Sequence, residues 1–368
     1  MFLKNIKLIN FRNYASIDVD FLNGVNLVCG NNAQGKTNIV EAIYMLALSS
    51  SFKTSRDAEI VKSGENEYYL QAEIESKEGT KKIKIKYNGI KKELYLNSEK
   101  VSSVSEFLGA FCVVLFTPDE MKIIKGSPEN RREFIDTDIS QLSKVYYDIT
   151  LKYQKILFQR NKLLKTERDK NQILMQISAW DEQFSKIASK IIITRRKFLK
   201  KLVVYANEEL KELSNGKETL EFEYLSVLGD DIESIRKNIK SELNNSLLKE
   251  MEVGYTMVGP HRDDVKFLVN GVDVRIFGSQ GQQRSVLLAI KFAEMKVFEE
   301  EINEKPVLLL DDVFSELDSI RQGKLYEKIK DFQSIITGTK FKNKINCNYK
   351  KIIIKNSLIK QEKLVLVT

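Results

Sequence analysis

Gly30-Asn31-Asn32-Ala33-Gln34-Gly35-Lys36-Thr37 reads G-x-x-x-x-G-K-T, the spacing of a Walker A phosphate loop. The chemistry needs those residue types. Glycines let backbone N–H groups close around a phosphate, and a following helix adds its positive N-terminus. Lys36 would reach the β- and γ-phosphates, the Thr37 hydroxyl would ligate Mg²⁺, and Asn38 continues the nucleotide-binding segment. Far along the chain, the apolar run Pro306-Val307-Leu308-Leu309-Leu310 ends in Asp311-Asp312. This is the Walker B pattern: Asp311 would hold Mg²⁺, through water, and Asp312 is placed to polarise an attacking water. Lys36, Asp311 and Asp312 are therefore the catalytic candidates, with Thr37 and Asp311 as the metal pair. A second small, glycine-bearing segment, Ser279-Gln280-Gly281-Gln282, opens an apolar helix through Val286, Leu287, Ile290 and Ala293 and makes another anion site.

Elements must position these groups. Val25-Asn26-Leu27-Val28-Cys29 is a β-prone run before the loop, and Ile39, Val40, Ile43, Leu46 and Ala47 recur at helical spacing after it. That strand–loop–helix context argues against a chance G-K-T in a glycine turn. Ile17, Val19 and Phe21 alternate with Asp18 and Asp20, which predicts a half-buried strand. The polar stretch 49–57 holds Lys53 and Arg56 and reads equally as a solvated loop or a nucleotide-contacting segment. Residues 67–97 predict an antiparallel meander with Asn88-Gly89 as a two-residue hairpin, one face rich in Lys82, Lys84 and Lys86. Phe111–Phe116 predicts a buried strand.

Between Glu129 and Asn215 the chain lacks Gly and Pro, and apolar residues recur every three or four positions on either side of a polar break at 166–171. This predicts two long helices packed as an antiparallel arm. The basic run Arg195-Arg196-Lys197 with Lys200-Lys201 lies on the second helix, as a solvated face or a partner surface. A strand over 220–228, a helix capped by Asp230 and Asp231, a turn at Gly259–Asp264, an Asn270-Gly271 hairpin and a last core strand at Ser334–Thr339 complete the pattern. The expected domains are 1–125, the first part of a nucleotide-binding head; 126–254, the inserted arm; and 255–368, the rest of the head.

The chain has 368 residues, is 42% hydrophobic and 30% charged, and carries a net charge of +8. That suits a globular protein with a polyanionic partner such as nucleic acid. No apolar run reaches the length of a membrane span, and the N-terminus lacks the apolar core of a signal peptide, so a cytoplasmic location is expected. Cys29, Cys112 and Cys347 are far apart among apolar neighbours and are expected as buried free thiols.

Two phosphate sites in one chain make sense if the second covers the γ-phosphate held by another copy. The order Walker A, helical insertion, S-x-G-Q, L-L-L-D-D and Ser315-Glu316-Leu317-Asp318 resembles the ABC/SMC-type ATPases, and within them the RecF family of bacterial recombination mediators. Phe11-Arg12-Asn13-Tyr14, Phe52–Asp57, Phe116-Thr117-Pro118-Asp119 and Gly259-Pro260-His261-Arg262-Asp263-Asp264 carry the resemblance with them. It implies an α/β fold: an ABC/SMC-type P-loop ATPase head with mixed sheets and an inserted helical arm. It further implies ATP and Mg²⁺, with Ser279, Gln280, Gly281 and Gln282 acting in trans, Asp318 as the D-loop acid, and Arg12 and Arg56 near the nucleotide. The implied partners are a second copy joined by ATP, double-stranded DNA with single-strand/double-strand junctions, and RecR with RecO.

The chain departs from the ABC pattern in three ways. Asp312 stands where most ABC ATPases have Glu. The single histidine, His261, cannot serve as the γ-phosphate switch after the last core strand, leaving Thr337 or Thr339. No Q-loop glutamine is evident around Val113–Phe116. These departures predict slow hydrolysis, a switch rather than a motor. A soluble ABC-type ATPase driving a separate partner, a chromosome organiser and a metabolic P-loop kinase are the alternatives. The arm and Gly259–Asp264 argue against the first, the arm's shortness against the second, and the Ser279 segment against the third.

Overall fold

The computed structural model describes residues 1–166, 169–315, 317–339 and 347–366. Those residues form two compact units, Met1–Glu120 with Lys291–Thr368, and Met121–Ile290. Residues 255–290, including the Ser279 segment, fall in the second unit.

The first unit begins with β1 (Phe2–Phe11), β2 (Tyr14–Asp20), β3 (Val25–Cys29), α1 (Lys36–Leu48), β4 (Tyr68–Ser76), β5 (Gly79–Tyr87), β6 (Lys92–Leu96), β7 (Glu99–Lys100), α2 (Val104–Phe107) and β8 (Val113–Phe116). The second comprises α3 (Met121–Lys125), α4 (Pro128–Leu142), α5 (Lys144–Thr166), α6 (Lys170–Leu213), β9 (Leu220–Leu225), α7 (Ile232–Val253), β10 (Asp264–Val269), β11 (Val272–Asp273), α8 (Val274–Phe277) and the start of α9 (Gln280–Ile302). The chain closes with β12 (Val307–Asp311), α10 (Ser319–Ile329), β13 (Ser334–Gly338), β14 (Tyr349–Lys355) and β15 (Leu358–Val365).

Two sheets build the first unit. One is antiparallel, ordered β2-β1-β4-β5-β6-β7. The other, β15-β14-β3-β13-β12-β8, is parallel except for β15. Every residue of β3, β8, β12 and β13 is buried, as strands covered on both faces require. α1 touches β1, β4 and β5 on one side and β8, β12 and β13 on the other. A helix flanked by two sheets needs apolar residues all round, and Ile39, Val40, Ile43, Met45, Leu46 and Leu48 supply them. Each such side chain contributes about 1.5–3 kcal/mol on burial. Because β3, β12 and β13 are parallel neighbours, the segments after all three emerge at one edge, where open α/β sheets bind ligands.

The meander is present, but the Asn88-Gly89 turn is longer than predicted. Tyr87 pairs with Lys92, which leaves four residues in the loop, and the Asn88 side chain accepts from the N–H groups of Ile90 and Lys91. Asn270-Gly271 is the two-residue hairpin expected, with both residues in the left-handed region (φ 51° and 79°) and Val269 paired to Val272.

In the second unit the arm contains three helices where two were predicted. Ser143 breaks the first: its backbone is extended and its hydroxyl accepts from the Tyr146 N–H, capping α5. α5 and α6 are antiparallel, since Arg160 meets Asp181, Tyr153 meets Phe184 and Tyr146 meets Arg195. Residues 167–168 of the polar break lie outside the described residues, and Asp169 caps α6.

The Gly259–Asp264 turn ties this unit together. Pro260 gives its carbonyl to Arg195 (2.7 Å), Asp264 pairs with Arg131 (2.6 and 3.0 Å), and Asp263 holds Tyr224 and gives its carbonyl to Arg132. His261 Nε2 donates to the Thr256 carbonyl (3.0 Å), so the neutral ring accepts at Nδ1 from the Tyr153 hydroxyl (2.5 Å). Gly259, at φ 120°, has Phe184 where a Cβ would stand, 2.7 Å away. The basic run of α6 is thereby divided. Arg195 is buried on Asp136 and Pro260, and Arg196 donates to Gly229, Val227 and Ser226. The three cysteines are free; Cys29 and Cys112 are buried as expected, while Cys347 is only half-buried.

Candidate nucleotide site

The loop between β3 and α1 is preformed. Gly35 sits at φ 103°, and a Cβ there would meet the Tyr14 hydroxyl at 2.7 Å. At Gly30 a Cβ would meet the Ile354 carbonyl oxygen at 2.6 Å. Both glycines are thus required for this loop path. Lys36 Nζ lies 2.8 Å from the carbonyls of Gly30 and Asn31, folded back across the loop. Burial pulls its ammonium below the ordinary lysine value, while Asp312 and Asp311 oppose that shift. Gln34 accepts from the Asn356 N–H, which pins the loop to the end of β14. Asn32 and Ala33 are exposed.

Walker A and Walker B meet directly. Thr37 Oγ1 donates to Asp311 Oδ1 at 2.9 Å across 274 residues of sequence. Thr337, opposite Asp311 in the β12–β13 register, donates to the same oxygen at 2.7 Å and accepts from the Asp312 N–H at 3.0 Å. Asp312 is exposed, in the left-handed region at φ 54°. That conformation is uncommon for Asp, and the Thr337 hydroxyl supports it. Thr337 is buried with its hydroxyl occupied by the two aspartates; Thr339, the other proposed switch, is exposed.

The β1–β2 turn supports the loop from outside, residue by residue. The Tyr14 hydroxyl donates to the Gly35 carbonyl (3.0 Å), and Asn13 Oδ1 accepts from Asn38 (2.8 Å). Arg12, at φ 53°, forks onto Glu41 and donates to the Glu59 carbonyl (2.7 Å). Glu41 is 0% exposed and also holds Ser51 (2.5 Å) and Lys53 (3.4 Å). It organises the turn, α1 and the 51–53 segment around one carboxylate. Sequence reasoning missed it, although its signal was there: Glu41 is the single charged residue between Lys36 and the end of an apolar helix.

Other predicted residues are engaged elsewhere. Arg56 is 80% exposed and pairs with Glu59 (3.6 Å). Ser279 and Gln282 form a reciprocal capping box on α9: the Ser279 hydroxyl accepts from the Gln282 N–H (3.2 Å), and the Gln282 side chain accepts from the Ser279 N–H (2.9 Å). Gln282 also donates to Glu218 (2.9 Å). Gln280 is exposed and Gly281 half-buried. Asp318 caps α10 through the Arg321 N–H (2.9 Å), which holds its carboxyl below the usual range; Glu316 lies outside the described residues.

These residues fit Mg²⁺ and a nucleoside triphosphate. No side chain caps the N-terminus of α1 and no acid stands in its first turn, so an anion meets no competitor there. One hydroxyl and one carboxylate at hydrogen-bond distance suit a hard cation that keeps waters and phosphate oxygens as its other ligands. Among the described residues no cluster of three or more His, Cys, Asp or Glu could hold a metal, and none is needed for that mode of binding.

The family model described as RecF/RecN/SMC N terminal domain matches residues 2–353. The DNA replication and repair protein RecF of Clostridium acetobutylicum is 44% identical over 340 residues, covering 92% of this chain and 93% of its own. That of Clostridium novyi is 41% identical over the same shares. A solved structure described as the recombination mediator protein RecF-ATP in the RecFOR pathway superposes with a TM-score of 0.90 at 38% identity, covering 99% of this chain and 97% of that one. An SMC head bound to the winged-helix domain of ScpA matches with a TM-score of 0.59 at 15% identity, over 100% and 98% of the two chains, a likeness of fold alone. Both Walker segments, the Ser279 segment and the Gly259–Asp264 turn thus stand in a chain that belongs to the RecF family.

Proposed function

We propose that this protein is an ATP-dependent DNA-binding protein of recombinational repair and replication restart. ATP with Mg²⁺ binds over Gly30–Asn38, held by Lys36, Thr37 and Asp311. A second copy covers the nucleotide with Ser279, Gly281 and Gln282, and Asp318 lies across that interface. The paired molecules clamp double-stranded DNA near single-strand gaps, and slow hydrolysis, with Asp312 orienting water, releases it. The protein works in the cytoplasm and helps load recombinase together with RecR and RecO. Among the described residues no helix is long and apolar enough to cross a membrane.

The observation that carries this reading is the Thr37–Asp311 hydrogen bond, which joins the two Walker segments in a chain of this family. Sedimentation of wild type, Lys36→Ala and Ser279→Arg with and without Mg-ATP tests it. Wild type is expected to dimerise only with Mg-ATP, Lys36→Ala to bind no ATP, and Ser279→Arg to bind ATP as a monomer. Equal dimerisation of Ser279→Arg and wild type removes the signature from the interface. Hydrolysis indifferent to duplex DNA would favour an ATPase that serves another partner.

A further inference from the structure

The basic run of α6 has a part that the internal network does not absorb. From Gln183 to Asn207 the helix carries no Asp or Glu. Arg195 and Arg196 turn inward. Lys186, Lys197 and Lys200 are exposed and Lys190 is half-buried. At about 100° per residue these four lysines fall within an arc of roughly 80°. At about 1.5 Å per residue they extend over about 21 Å. Among the described residues none of the four has an ion-pair partner. The contrast within the same unit is α7, where Arg236 pairs with Glu233 and Glu182, and Lys240 with Glu182.

A solvated helix face ordinarily mixes both signs at i, i+3 and i, i+4 spacing. Four aligned lysines without intervening acids repel one another unless a polyanion lies along them. Their length suits a repeating phosphate backbone better than a compact anion, because one DNA strand offers a phosphate about every 3.4 Å of axis. A lipid surface would want apolar side chains between the cations, and between Lys186 and Lys200 no large hydrophobic residue is exposed.

We propose that this face of α6 is the track on which duplex DNA rests, held through its phosphates. The assignment builds on the DNA-binding reading above and says which lysines carry it. The test is Lys186→Glu, Lys190→Glu, Lys197→Glu and Lys200→Glu combined in the full chain, titrated in Mg-ATP with a labelled 30-base-pair duplex between about 50 and 200 mM salt. A second variant reverses Lys82, Lys84, Lys86 and Lys91, the lysines in and beside the β5–β6 hairpin. At about 0.9 per phosphate contact, the α6 variant is expected to flatten the log–log salt slope by about 3–4 and to weaken binding at least 100-fold at low salt. Its ATP binding and circular dichroism should stay unchanged, and the hairpin variant should keep the wild-type slope. An unaltered slope in the α6 variant overturns the track, as does an equal loss in the hairpin variant. Wild type that binds anionic vesicles but no duplex would overturn the DNA reading and the track together.

Discussion

Thr337 is where one hydroxyl serves two aspartates. Replacing it with Val keeps the shape but removes a donor to Asp311 and leaves the Asp312 N–H without its acceptor. A hydrogen bond to a charged group such as Asp311 contributes about 1.5–3 kcal/mol. Thr337→Val should therefore bind ATP within a few-fold of wild type, require more Mg²⁺ for half-maximal hydrolysis, and hydrolyse at least tenfold more slowly; Thr337→Ser should restore both. Turnover assays across a Mg²⁺ series decide this, and an unchanged Mg²⁺ midpoint in Thr337→Val would remove Thr337 from the metal site. Wild-type turnover itself should lie well below the roughly 10 per second of typical enzymes. His261 gives a prediction of a different kind. Burial pushes its pKa down to about 4 from 6.5. Between those values the unfolded chain binds a proton that the folded chain does not, so stability falls as pH drops through 6.5 toward 4. At pH 5 the loss is about 2 kcal/mol relative to pH 7.5. Buried Asp181 and Asp263, whose carboxyls are raised by burial, act in the opposite direction. The measurement is therefore the difference between wild type and His261→Gln in urea at the two pH values; equal pH dependence in both would refute the assignment.

At the scale of elements, α9 begins in a capping box that uses the two polar side chains expected to meet a phosphate. Gln282→Ala removes half of that box and should lower stability by about 1 kcal/mol, measured by denaturant unfolding. No loss of stability would mean that the box contributes nothing to the helix start. The same residues show what could be read from sequence. S-x-x-Q before an apolar run is a helix-start signature as well as part of the Ser279 segment, and periodicity alone could not choose between them. The strands and the long arm helix were legible because alternation and three-to-four spacing survive in any context. Ser143 was not legible as a break, since an isolated serine among helix formers looks like one more polar position. Arg195 and Arg196 could not be told from Lys197, because the direction of Arg195 depends on the Gly259–Asp264 turn, which arrives more than sixty residues later, and that of Arg196 on the 226–229 segment, about thirty residues later. Glu41 was legible in principle, as the one charge after Lys36 on a largely apolar helix.

Taken as a whole molecule, the two units hold different halves of the proposed nucleotide contacts. The first unit contains Lys36, Thr37, Asp311, Asp312 and Thr337; the second contains Ser279 and Gln282. A ligand that binds only the folded state stabilises it by about 2.7 kcal/mol at one hundred times its dissociation constant. For a unit of this size that is about 5–10 °C in melting temperature. Each unit then reports on its own contact in calorimetry with Mg-ATP. In wild type both transitions should rise, the first through the nucleotide in its own chain and the second through the partner's nucleotide. In Ser279→Arg only the first should rise. In Lys36→Ala neither should, because no nucleotide is held, and chelating Mg²⁺ should shrink both shifts in wild type. A rise of both transitions in Ser279→Arg would mean that the second unit senses ATP through its own chain, and the requirement for a second copy would fall with that result.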